Sequence, residues 1–392
     1  MRKIDLTDFQ VATSETARQI NRRIALNIIR RHEPMSRADL ARRSGLQRST
    51  VSAIIDQLIE EGWVTEGAIA EARRGRRPRF LHLNTERTRI VGVELRPELT
   101  TVGLAGVDAG FVAQTSWPTP PEPTSFAREL ARTVDEFRAA HPRTVIEGMG
   151  VSLPGRVDAS GEMIFAPNLD WPRVNLQALL ESTVGLPVVL ENAANACALA
   201  EAWFGRHPDN VRNLVAVGVS EGIGAGILLN GQLVRGLGAM AGEFGHVTVD
   251  ESGPPCKCGK RGCWERYASN TATMQFYGSQ AGDDLPRRYE DLVRLALAGD
   301  PAAGNALDRQ AEYLGMGLAV IQTGLAPDVI VVFGEVTGAW NRIGPIVAEV
   351  VRRRSLSVAA TRIVATDPNE HPRLRGAVTL MVQQHFGAPN VA

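Results

Sequence analysis

His246-Val247-Thr248-Val249-Asp250-Glu251-Ser252-Gly253-Pro254-Pro255-Cys256-Lys257-Cys258-Gly259-Lys260-Arg261-Gly262-Cys263-Trp264-Glu265 holds three of the chain's four cysteines. Their spacing is C-x-C-x-x-x-x-C, and His246 stands ten positions ahead of Cys256. Three thiolates and one imidazole make a closed tetrahedral set, which suits a structural Zn2+ with no open position for water. Gly259 and Gly262 fall between the ligands, where tight loops need φ > 0. Two competing readings are reduced thiols in a loop and a disulfide pair. The density of ligands and turn residues argues against the first. Adjacent thiols in a chain with no export signal are more often metal ligands than bridges. Cys197 falls in a segment that reads as a helix and is set apart. The expected ligands of one Zn2+ per chain are His246, Cys256, Cys258 and Cys263.

Just upstream, Gly242-Glu243-Phe244-Gly245-His246 leads into C-x-C-G-x-x-G-C-W-E. Together they closely resemble the repressor, ORF, kinase (ROK) family, which joins sugar kinases to sugar-responsive repressors. The resemblance runs from about Ile90 to the C-terminus. It implies two actin-like (ribonuclease H-like) lobes with a ligand in the cleft between them. It also implies sugar-hydroxyl contacts from Glu243, His246, Glu265 and Asn192, with Gly155, Arg156 and Asn168 approaching the ring from lobe one. Carboxylates and amides engage vicinal hydroxyls, and a site built from them rejects analogues lacking one. His246 would place one ring nitrogen on zinc and offer the other to the ligand. Taken singly, Glu243 and Glu265 also read as solvated or salt-bridged surface acids.

Measured against the family's kinases, the chain departs at four places. Where they carry Asp-x-Gly-Gly-Thr for ATP phosphates, it reads Glu94-Leu95-Arg96-Pro97-Glu98. Both glycines are gone, Pro97 offers no N–H, and Glu98 repels phosphate. Where they place a catalytic aspartate after Glu-Asn, it reads Glu191-Asn192-Ala193, and Ala193 accepts no proton. Ser220–Gly226 stays glycine-rich but reads as a tight strand connection. Phe333-Gly334-Glu335 departs from the Gly-Gly that resembles the family's adenosine site. The resemblance with these losses implies a non-catalytic, sugar-responsive regulator. The alternatives are a ROK sugar kinase with a DNA-binding head and a regulator triggered by a protein partner.

Ahead of Ile90 the pattern is helical. Ile20, Ile24, Ile28 and Ile29 make one stripe, and Pro34 ends it. Ser36-Arg37-Ala38-Asp39 reads as a capping box, and the short helix it opens stops at Ser44-Gly45. A second helix begins near Gln47 or Arg48 and buries Val51, Ile54, Ile55 and Leu58. Two short helices about a Gly turn form a helix-turn-helix. Its exposed start offers Gln47, Arg48, Ser49, Thr50 and Ser52 to a major groove. Trp63-Val64 opens a strand and Phe80–Leu83 closes one. The arginine-rich segment between them, with Arg74, Arg76 and Arg77, reads as a wing for an A·T-rich minor groove. The plainer readings are a three-helix packing module and a solvated charge run.

The charge agrees with a DNA-reading head on a separate body. Residues 1–89 hold 18 Lys+Arg against 11 Asp+Glu, in a chain with 43 of each, so the remainder is equally acidic. At 392 residues, two or three domains are expected. The chain is assigned as α/β: a winged helix-turn-helix over 1–88, lobe one over 89–190 and lobe two over 191–392, with the C-terminal helix returning to lobe one. The start carries no apolar signal core and no run of eighteen apolar residues occurs, so a cytoplasmic protein without membrane insertion is expected. Its expected partners are double-stranded operator DNA with an A·T-rich inverted repeat, a small sugar effector, and further copies of itself as a homodimer or higher homo-oligomer.

Overall fold

The computed structural model describes residues 14–69, 79–158, 160–166, 169–208, 210–281, 286, 288–356 and 361–387. Arg74, Arg76 and Arg77 of the expected wing, and Asn168, lie outside the described residues.

The head contains α1 (Ser14–His32), β1 (Met35–Ser36), α2 (Arg37–Ser44), α3 (Arg48–Glu60), β2 (Val64–Ile69) and β3 (Arg79–Leu83). Ser36 and Asp39 form the capping box at the start of α2, and Gly45 closes it in the left-handed region at φ 71°. That glycine is what lets α3 turn away within three residues. Val51, Ile54, Ile55 and Leu58 are buried on one face of α3, as its spacing requires. The three strands pair in the order β1-β3-β2.

The body repeats one plan twice. Lobe one has β4 (Thr88–Leu95), β5 (Leu99–Ala105), β6 (Phe111–Pro118), α4 (Pro123–Ala140) and β7 (Val145–Leu153). It continues with β8 (Arg156–Val157), β9 (Glu162–Phe165), β10 (Val174–Asn175), α5 (Leu176–Val184) and β11 (Val188–Asn192). Lobe two has α6 (Ala193–Phe204), β12 (Leu214–Val219), β13 (Ile223–Leu229) and β14 (Gln232–Leu233). It goes on through α7 (Glu265–Ala268), α8 (Asn270–Ala281), α9 (Tyr289–Leu297) and α10 (Pro301–Leu325). Then come β15 (Val329–Phe333), α11 (Trp340–Arg354), β16 (Arg362–Ala365) and α12 (Pro372–Phe386). The main sheets run β11-β7-β4-β5-β6 and β14-β13-β12-β15-β16. Each joins an antiparallel meander to two parallel strands.

α12 packs against β4 and β7 of lobe one and against α6. Strand glycines make this possible: a Cβ at Gly150 would fall 1.8 Å from the Ala377 carbonyl oxygen. The head does not hang from a linker. Leu26, Ile29 and Trp63 share one buried cluster with Ile90 of β4 and Val378, Met381 and Phe386 of α12. Asn27 donates to the Phe386 carbonyl, Arg30 donates to the Trp203 carbonyl at 2.9 Å, and Trp63 packs at a tilt against the His385 ring, 4.7 Å between centroids.

Candidate effector site and metal centre

Gly242, at φ 88°, lets the chain pass close against β13, where a Cβ would lie 1.8 Å from the Ala225 carbonyl oxygen. A single 3-10 turn, Glu243–His246, follows and aims His246 at the cysteine loop. The ligand atoms of His246, Cys256, Cys258 and Cys263 all lie within 4.8 Å of one another. His246 Nδ1 is 3.6 Å from Cys256 Sγ, and Cys258 Sγ is 3.6 Å from Cys263 Sγ. Four such ligands around a tetrahedral zinc stand roughly 3.5–3.8 Å apart. The donor set and its spacing can therefore hold a metal ion. Lys260 Nζ donates to the His246 carbonyl at 2.6 Å and closes the loop over the histidine.

The carboxylates come from two places, Glu243 on the same turn and Glu265 at the start of α7. Glu265 Oε1 lies 3.5 Å from His246 Nδ1 and accepts from the Cys256 thiol at 3.1 Å. Glu243 Oε2 lies 3.8 Å from His246 Nε2, on the other side of the ring. One imidazole thus faces the cysteines through one nitrogen and an open carboxylate through the other. Asn192 is more committed than its sequence position suggests. Its Oδ1 accepts from the backbone N–H of Ala194 and Asn195 at the start of α6, and its Nδ2 donates to the Gly155 carbonyl at 2.8 Å. It fixes the lobe-one loop and retains one amide hydrogen for a ligand. Arg156 spans the cleft, donating to the Gly238 carbonyl at 3.2 Å.

Two residues escape the sequence reading. Glu191 is buried and accepts from Asn195 Nδ2 at 3.0 Å and from Arg235 Nη2 at 2.8 Å. Arg235 comes from the loop after β14, and nothing in its local sequence marks it. In the head, Gln47, Arg48 and Ser49 are exposed, and Thr50 and Ser52 half-buried, at the start of α3.

Residues 90–384 match the ROK family, and residues 20–75 match the MarR family. The xylose repressor of Bacillus subtilis (strain 168) is 31% identical over 324 residues, covering 82% of this chain and 83% of its own. The chain belongs to the ROK family. A solved ROK family transcriptional regulator, a homologue of the Escherichia coli MLC protein, superposes with a TM-score of 0.82 at 25% identity. It covers 96% of this chain and 99% of its own, so head and body are both matched. A ROK family glucokinase from Streptomyces griseus, solved with glucose and AMPPNP, reaches a TM-score of 0.67 at 27% identity. It covers 74% of this chain and 98% of its own.

Within the ROK body, the departures at 94–98, 220–226 and 333–335 converge in space. Arg96, on the β4–β5 turn, reaches Glu335 at 2.9 Å and Glu221 at 3.0 Å. Arg373, at the start of α12, lies 3.3 Å from Glu335 and 3.6 Å from Glu94. Ser220 Oγ and Asn270 Nδ2 complete the shell of Glu335 at 2.8 and 3.1 Å. Burial pushes the Glu335 carboxyl up, but Arg373, Arg96 and the Ser220 hydroxyl outweigh it and hold it below the ordinary carboxylate range. The Arg96 guanidinium is raised despite its own burial, because Glu335, Glu221 and Glu94 surround it.

Proposed function

We propose that this ROK protein is a DNA-binding transcriptional regulator, a repressor released by a small sugar held between its lobes. The observation that carries the reading is a helix-turn-helix fused through a shared core to a sugar-kinase body. The fusion makes head and lobe one a single mechanical unit. Gln47, Arg48, Ser49, Thr50 and Ser52 read base edges, and the wing arginines Arg74, Arg76 and Arg77 reach the flanking minor groove. The domains divide within a residue or two of 88/89 and 190/191, at the start of β4 and the end of β11. A homodimer, or a higher oligomer built on it, places two recognition helices roughly 34–36 Å apart on an A·T-rich inverted repeat.

The sugar contacts are Glu243, His246 and Glu265 from lobe two, with Asn192, Gly155, Arg156 and Asn168 opposite. Zn2+ is held by His246, Cys256, Cys258 and Cys263. Bound there, it supplies structure rather than Lewis-acid chemistry, because four protein ligands leave no open position. His246 Nε2 stays free to orient Glu243 toward a hydroxyl. The chain carries no phosphoryl-transfer activity in this reading, since Ala193 accepts no proton. Among the described residues no helix is long and apolar enough to cross a membrane, and the site of action is the cytoplasm.

The decisive experiment selects bound sequences from a random duplex library, then titrates D-xylose, D-glucose and N-acetyl-D-glucosamine against the best one. The expected result is an inverted repeat released by one of these sugars. Sequence-independent binding would remove the repressor reading. Sugar-dependent ADP release by the wild-type chain would put a kinase in its place.

A further inference from the structure

The ion cluster around Glu335 joins the two lobes. Glu94 and Arg96 come from lobe one, and Arg373 comes from the α12 end that packs beside it. Ser220, Glu221, Asn270 and Glu335 come from lobe two. Arg373 also donates to Ser220 Oγ and lies 5.5 Å over the Phe333 ring. The side chains of Glu94, Glu335 and Arg373 are 12, 14 and 13% exposed. At that burial, removing one partner leaves an uncompensated charge, so the cluster holds or releases as a unit.

We propose that Arg96, Glu335 and Arg373 form an interlobe clasp that sets cleft closure and reports it to the head through α12. The clasp stands where the ROK resemblance puts nucleotide phosphates. This chain therefore sets its closure with its own charges, without a bound nucleotide. α12 is suited to carry the signal. Its fifteen residues span about 22 Å, and its interior is buried. Arg373 is its second residue. At the other end, Phe386 and His385 flank Trp63 of the head, Asn27 donates to the Phe386 carbonyl, and Arg23 donates to the Gly387 carbonyl at 3.3 Å. A rigid helix fixed at both ends passes a shift at the clasp to the recognition helix. The inference rests on the reading of the cleft as the effector site, and the clasp itself is tested without effector.

The experiment uses the full chain and follows amide hydrogen exchange in the turns at 96–99 and 220–222. It also follows the head–body junction around 60–64 and 383–387. Glu335→Gln keeps the size and the amide partners of the side chain but removes its charge, and Arg96→Met removes the opposite partner. Each variant is expected to exchange about tenfold faster in both turns and faster at the junction. The double variant should be no worse than either single one, because the two act on one contact. Arg96→Lys should recover part of the protection. Wild type in 1 M NaCl should move toward Glu335→Gln, while the variant itself stays put. Unchanged protection in both turns would overturn the clasp. Faster turns with an unmoved junction would overturn the role of α12. Global unfolding of Glu335→Gln would pass the decision to Arg96→Lys and to the salt series. Titration of D-xylose, D-glucose and N-acetyl-D-glucosamine separates the two readings. No binding of any of them by wild type counts against the effector assignment and leaves the clasp result standing. A sugar that binds should lose at least about fivefold in affinity in Glu335→Gln.

Discussion

At the residue scale, the metal set is the most local feature of the chain. Its cysteines sit within eight residues, so spacing alone brings the ligands together. Cys258→Ser should abolish stoichiometric zinc by elemental analysis and expose the loop carrying Glu265 to protease. Structural zinc sites contribute on the order of 10 kcal/mol to local folding. Cys197→Ser should keep its zinc: the residue is fully buried in α6, and burial pushes its thiol far up. A second substitution addresses chemistry. Ala193→Asp restores a carboxylate after Glu191-Asn192, yet no sugar-dependent ADP release is expected, because Arg96 and Glu335 fill the ground a triphosphate needs. Turnover above wild type in a coupled assay would mean that the cleft still admits nucleotide. The sequence made these losses legible one by one. It could not make their meeting legible, because Arg96, Glu335 and Arg373 are brought together by topology alone. Asn192 illustrates the same limit: its place in the motif suggested a ligand contact, whereas most of its hydrogen-bonding capacity holds Gly155 and caps α6.

At the scale of elements, capping placed α2 and periodicity placed α3, whereas on α1 the expected stripe is displaced: Ile24 is exposed and Ala25, Leu26 and Ile29 are buried. Ser36, Asp39 and Gly45 stand where the helix-turn-helix needs them, and Ser36→Ala should cost about 1 kcal/mol in a thermal melt. Element ends were harder to read. Val145–Val151 and Leu186–Leu190 read as strands from their apolar runs, whereas β7 and β11 run on to Leu153 and Asn192, because their pairing continues past those runs. α12 was legible as a helix returning to lobe one, but its contacts with the ion cluster at one end and the head at the other were not. His385, near its end, has its titration moved down to about 4, first by burial and then by Arg22 and Arg23. Its Nε2 has no hydrogen-bond partner among the described residues. The fold therefore favours the neutral ring, whereas the unfolded chain titrates it near pH 6.5. The stabilisation is complete above that pH and is lost as pH falls toward 4. Allowing for the part of the ring that water reaches, the loss amounts to about 1–2 kcal/mol. Comparing thermal unfolding at pH 7 and pH 5, wild type should lose more than His385→Gln. Equal losses would show that the ring titrates alike in the folded and unfolded chain.

At the scale of the whole molecule, the shared core of head and lobe one decides how an effector could act. A flexible tether would let the lobes close without moving the recognition helices. Here Trp63, Ile90 and Phe386 belong to one buried cluster, so the head goes where lobe one and α12 go. In a dimer tied through its bodies, closure against lobe two changes the distance between two recognition helices. Half-site spacing is fixed by the duplex, so a change of a few ångströms is enough to mismatch it. The effector acts only through its differential affinity for the two arrangements. A coupling of about 1–3 kcal/mol lowers operator affinity by roughly 5–150-fold. The same factor must appear in reverse, so operator DNA should weaken sugar binding equally. Calorimetric titration of the active sugar, with and without saturating operator, measures it directly. Glu243→Ala should lose sugar affinity while keeping operator affinity, because in the proposed site Glu243 lies beside His246 in lobe two, away from the residues of the head. Equal sugar affinities with and without operator in wild type would mean that sugar does not release the DNA. The regulator triggered by a protein partner would then take the place of the sugar-released one.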